Sequence, residues 1–121
     1  MKKVLISLLF LLVSNLFAFE HLTQSNFDEK IKGKNVIVDF YAQWCPPCKI
    51  LAETLVEYDK VKPKNINIYK VDIDQYKDLA IKHGVSLLPT LAYFKDGELV
   101  SLEVGLKSLE DLEHNSSNYF K

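Results

Sequence analysis

The sequence predicts an α/β fold in which a central mixed β-sheet carries helices on both faces. Three observations point to it. Strand-like and helix-like segments alternate along the chain and end in a hairpin and a last helix. One run, "NVIVDFYA", is apolar almost throughout, as a strand covered on both faces must be. No repeat or low-complexity linker divides the 121 residues, so they hold one domain at most.

The elements follow in order. "FEHLTQSNFDEKIKG" reads as a short strand ending near Leu22 and then a helix, with Ser25 as N-cap, Asp28 three residues on, and Gly33 as the stop. "NVIVDFYA" is the central strand, broken by a single acid, Asp39. From Pro46 to about Lys60, Ile50, Leu51, Leu55, Val56 and Tyr58 recur near helical spacing. "NINIYKVDID" alternates and is β-branched, which predicts a second central strand. "QYKDLAIKHG" predicts a helix of about nine residues closed by Gly84. "TLAYFKDGELVSLEVG" is a hairpin turning at Asp96-Gly97. "SLEDLEHNSSNYFK" opens with Ser108 and Asp111 in a capping-box arrangement. Only Leu109 and Leu112 then give it an apolar face, so a loose C-terminal end is expected.

The first 18 residues differ in kind from the rest. Lys2 and Lys3 form a positive head, Val4 to Val13 is apolar apart from Ser7, and small or polar residues lead to Ala18. That is the order of a secretory signal peptide, and the run is short for a membrane span of about 20 residues. Residues 1–18 are therefore expected to be a signal cleaved after Ala18, with 19–121 as the exported, periplasmic domain; an uncleaved anchor is the alternative. Losing the two leader lysines leaves 13 basic against 16 acidic residues, a formal charge of −3. A mildly acidic chain without a basic run has no electrostatic footprint for nucleic acid.

Chemistry is expected at "QWCPPCKI", where Cys45 ends a strand and Cys48 lies in the first turn of a helix. A helix N-terminus offers unpaired N–H groups and a positive dipole end, which favour a thiolate. Pro46 suits that first turn, but neither Pro46 nor Pro47 can donate to the Cys45 sulfur. The amide of Cys48 and those beyond it remain. As a structural staple the pair would constrain very little chain and contribute little stability. A zinc site wants four ligands, and His21, His83 and His114 fall in three different elements. No metal is expected, and dithiol–disulfide exchange is the reading that remains.

"VIVDFYAQWCPPCK", "YKVDIDQ", "HGVSLLPTLAYFKDGELV" and "EVG", in this order and near these separations, resemble the thioredoxin family across residues 20–112. The resemblance implies the thioredoxin-like fold and a protein thiol–disulfide oxidoreductase whose only redox group is its Cys45–Cys48 disulfide. It implies Cys45 as the attacking thiol and Cys48 as the resolving one. Asp39 matches the family's buried acid beneath the second cysteine, Lys70 the lysine beside that acid, and Pro89 the cis-proline opposite the active site. A lone carboxylate in an apolar strand is costly to bury charged, so its pKa is expected to rise. Trp44, Pro46, Ile73, Leu87, Leu88 and Gly105 would rim a shallow apolar groove for substrate.

The chain departs from the family at four places. Pro-Pro stands between the cysteines in place of Gly-Pro, and Tyr41 stands where a second tryptophan is usual. Glu53 replaces a helix-kinking proline, and Leu87 a small residue. The expected activity is reduction of disulfides in periplasmic proteins, apocytochrome c thiols among them, by a monomer recharged from a membrane electron donor. A disulfide oxidase or isomerase, or a redox-inert binding module, is the alternative.

Overall fold

In the computed structural model, which describes residues 19–121, the run Val36–Phe40 is wholly buried at the middle of a sheet. The leader expected at 1–18, and its cleavage, lie outside the described residues. The elements are β1 (Glu20–His21), α1 (Phe27–Ile31), β2 (Asn35–Tyr41), α2 (Pro46–Val61), β3 (Ile66–Asp72), α3 (Lys77–Lys82), β4 (Thr90–Lys95), β5 (Glu98–Val104) and α4 (Leu109–Tyr119). The strand order is β1-β3-β2-β4-β5; β1, β3 and β2 run parallel, and β4 and β5 are antiparallel to their neighbours.

Alternation along β2 explains the two layers of helix. Val36, Val38 and Phe40 point to one face, where they pack with Phe27 and Ile31 of α1, Leu79 and Ala80 of α3, and Phe94. Ile37 points to the other, with Leu51, Leu55 and Tyr58 of α2 and Leu112 of α4. Asp39 and Tyr41 continue that second row, so both side chains lie under α2. The mixed sheet expected from the order of elements is therefore present, with helices on both faces.

The turn at Asp96-Gly97 has φ of 51° and 81°, the two positive values a type I′ hairpin requires. α2 runs unbroken for 16 residues, and Glu53 lies within it where a proline would remove a backbone donor.

Three local expectations need correction. Ser25 does not cap α1: Asn26 precedes the helix, its Oδ1 accepting from Thr23 N at 2.7 Å while Thr23 Oγ1 accepts from Asn26 N at 3.3 Å. These reciprocal bonds close a turn and delay the helix to Phe27. α3 has six residues, not about nine. Asp72 Oδ1 accepts from Asp74 N at 2.9 Å, and that turn takes up the chain before Lys77.

The C-terminal end is packed, not loose. Ser108 and Asp111 form the expected capping box. Beyond it Ser116 is buried with its Oγ 2.6 Å from the Tyr58 hydroxyl. The Tyr119 ring meets Tyr93 edge-on at 4.7 Å, and its hydroxyl donates to Glu103 Oε2 at 2.9 Å. Phe120 also lies against Tyr93. Leu112, Ser116 and Tyr119 follow i, i+4, i+7 spacing, so the face exists but its middle member is a serine.

Candidate active site

β2 ends at Tyr41, and Ala42–Cys45 turn the chain into α2. Cys45 is the N-cap of α2 and Pro46 its first residue, which places the pair on the helix's positive end. The two cysteines form a disulfide with Cα atoms 5.3 Å apart. The Cys48 amide donates to Cys45 Sγ at 3.3 Å, the one hydrogen bond to this sulfur among the described residues. Both residues are nearly buried, 4 % and 3 % exposed, and pack against Ala42 with Tyr41, Ile73 and Leu88 around them.

Asp39 is fully buried, and neither of its carboxyl oxygens has a hydrogen-bond partner among the described residues. The Lys70 ammonium, its register partner on β3, stands 3.9 Å from Oδ2. Burial pushes the acid up and the lysine pulls it down; burial wins, and the pKa rises from 3.8 to about 7. At that value the carboxyl exchanges its proton near neutrality, as a general base must. A cleft of about 370 Å³ lined by Tyr41, Ala42, Gln43, Cys48, Lys49, Ala52 and Lys70 brings the resolving cysteine and the lysine beside Asp39 to one concavity. A separate concavity of about 690 Å³ between α2 and α4, lined by Glu53, Thr54, Val56, Glu57, Ser108 and Leu109, contains no thiol.

The Leu88-Pro89 bond is cis, and Pro89 is buried. The Pro89 carbonyl accepts from Gly105 N at 2.9 Å, so β4 and the end of β5 are tied together there. Around the disulfide, Trp44 is 67 % exposed and Pro46 exposed, while Ile73 and Leu88 are half-buried. The Trp44 indole N–H donates to Asp74 Oδ2 at 2.9 Å, which fixes the ring toward the β3–α3 loop. Leu87 is exposed rather than core. The expected groove residues thus gather at one end of the sheet.

Sequence reading missed His21 and Tyr41 as parts of the site. Tyr41 Oη and His21 Nε2 are 2.8 Å apart, and the Lys70 ammonium sits 4.6 Å from the Tyr41 ring centroid. Tyr41 entered the sequence reading only as a departure; register between β1, β3 and β2 is what assembles the cluster, and no local pattern carries it. Among the described residues, no group of three or more His, Cys, Asp or Glu could hold a metal ion, and no helix is long and apolar enough to cross a membrane.

The arrangement can run a two-step exchange. A Cys45 thiolate attacks a substrate disulfide, forming a mixed disulfide and releasing one substrate sulfur as thiolate. Cys48 gives its proton to a base, attacks Cys45 Sγ and releases the second substrate thiolate. The products are a substrate dithiol and the Cys45–Cys48 disulfide found here.

Comparison with known proteins agrees with this geometry. The thioredoxin family model matches residues 18–118. Thioredoxin from Bacillus subtilis (strain 168) is 40% identical over 91 residues, which are 75% of this chain and 88% of that one. Thioredoxin-1 of Saccharomyces cerevisiae is 44% identical over 84 residues, 69% of this chain and 81% of its own. Among solved structures, a mutant thioredoxin from Halobacterium salinarum NRC-1 superposes with a TM-score of 0.75 at 31% identity, covering 85% of this chain and 90% of that one. Oxidised mitochondrial thioredoxin 3 from S. cerevisiae gives 0.75 at 30% identity, over 83% and 94% of the two chains.

Proposed function

Since this chain belongs to the thioredoxin family and is a dithiol–disulfide oxidoreductase acting on protein disulfides, we propose that it is an exported reductase. In this reading Cys45 attacks, Cys48 resolves, and Asp39, with Lys70 beside it, takes the Cys48 proton. Trp44, Pro46, Ile73, Leu88, Pro89 and Gly105 hold an extended substrate segment. The redox pair needs no other cofactor. The protein works as a monomer in the periplasm, on disulfides of periplasmic proteins including those of apocytochrome c, and a membrane donor recharges it.

The observation that carries the reducing direction is the Cys45 sulfur with one amide donor, above a buried acid paired with a lysine. Each donor aimed at Cys45 stabilises the reduced thiolate and makes the disulfide more oxidising. Pro46 and Pro47 withhold donors, which favours the disulfide and hence a reducing couple. Support for export is the order of the first 18 residues, together with a family match that begins at residue 18.

The test is the equilibrium potential of the Cys45–Cys48 pair against defined thiol buffers. A reductase is expected near about −270 mV. A value near about −120 mV would identify an oxidant and overturn the direction.

A further inference from the structure

His21, Lys70 and Asp39 form one row across β1, β3 and β2, since Lys70 is the register partner of both the others. Tyr41 stands two residues beyond Asp39 and shares its face. Lys70 has a flexible stem, and at 3.9 Å its ammonium is too far from Asp39 for a hydrogen bond. The acid alone therefore does not fix it. The Tyr41 ring does, because the ammonium lies over its face at 4.6 Å, within cation–π range. The ring in turn is held at its far end by the contact of its hydroxyl with His21 Nε2 at 2.8 Å, and the two rings meet edge-on.

We infer that Tyr41, tethered by His21, is a positioning residue that keeps the Lys70 ammonium beside Asp39. Among the described residues, Lys70 is the one cation in ion-pair range of a carboxylate that has no hydrogen-bond partner, so where it sits decides how tightly Asp39 holds its proton. A held ammonium keeps a larger share of Asp39 ionised at neutral pH, ready to accept the Cys48 proton. The hydroxyl at the tip of the Tyr41 ring is the group that meets His21, so a ring without it keeps the cation–π face but loses the tether. The other groups around the cleft are Cys48 and Lys49 from α2 and Asp72 from β3, while β4 presents Leu91 opposite Asp39.

The inference rests on Asp39 as the proton acceptor of the redox pair. Its test is read on the acid itself, by carbon-13 NMR titration of the Asp39 carboxyl in the oxidised protein. Failure of the titration leaves the potential of the pair unaffected, and an oxidising potential leaves the titration unaffected. Tyr41→Leu is expected to raise the Asp39 midpoint by about half a pH unit, roughly threefold in proton affinity. In a Lys70→Met background the same substitution is expected to add nothing. No shift in the Lys70 protein, or the same shift in both backgrounds, would show that Tyr41 acts only as packing and would overturn the inference. Tyr41→Phe keeps the packing if the leucine variant does not fold. It is expected to give a smaller rise, equalled by His21→Ala and abolished by Lys70→Met; an unchanged midpoint, or a rise that persists without Lys70, overturns the tether.

Discussion

Asp39 is where burial and chemistry meet in a single residue. Its folded pKa of about 7 lies above the ordinary carboxylate value of 3.8. Between those values the folded state binds more protons than the unfolded one, so stability falls as pH rises from about 4 to about 7 and then levels off. The accumulated penalty is about 4 kcal/mol, from three pKa units at about 1.4 kcal/mol each. Asp39→Asn should therefore unfold at higher urea than the parent at pH 8 and show no gain at pH 4. Mixed-disulfide resolution in the same variant should slow at neutral pH, because the base is gone. Urea midpoints at the two pH values check the first point, and stopped-flow resolution rates check the second. A variant less stable at pH 8 would mean that the Lys70 ammonium stabilises the carboxylate by more than its burial costs. This residue was legible in the sequence because an acid that interrupts the apolar run "VIVDFYA" is costly to bury charged, and because its position matches the family's buried acid; a solvated strand face was the alternative. His21 and Tyr41 were not, because their partnership depends on cross-strand register.

Among the elements, α4 shows how a helix can be specified by contacts that a hydropathy pattern does not register. Its N-terminus was readable, since Ser108 and Asp111 bond each other's backbone within four residues. Its second half was misread because Ser116 and Tyr119 reach partners far away in sequence, Tyr58, Tyr93 and Glu103. Glu103 Oε2 accepts from both Tyr119 and Asn115, so one β5 acid ties down two turns of helix. Tyr119→Ala removes a half-buried ring and a charge-assisted hydrogen bond together. A loss of about 2–3 kcal/mol in urea unfolding is expected, with the potential of the Cys45–Cys48 pair unchanged. An effect below about 0.5 kcal/mol would return the helix end to the loose state its sequence suggested. The shorter α3 and the displaced start of α1 have a different, local origin. Side chains of Asp72, Thr23 and Asn26 bond nearby backbone groups and so compete with helix formation.

Considered as a whole molecule, the fold was legible because its core strands announce themselves twice, by apolar run and by the helices between them. What the molecule needs at its N-terminus is less obvious. Phe19 packs against the layer formed by α2 and α4, and β1 supplies His21 to the Tyr41–Lys70 cluster. Processing that removed Phe19 would reach the core, and processing through His21 would reach both the core and the acid. A cut after Ala18 spares them, and the family match begins at that residue. A chain of residues 19–121 should therefore match the uncut protein in unfolding midpoint and in the potential of its disulfide. A chain starting at Leu22 should lose stability, from the missing Phe19 contact and the missing β1 pairing with β3. It should also show a raised Asp39 midpoint, because Tyr41 has lost its tether. Calorimetry, thiol-buffer titration and carboxyl NMR on the three chains measure these effects separately. If the 19–121 chain were the weaker of the first two, the leader would be part of the folded domain, and its reading as a removable export signal would fall.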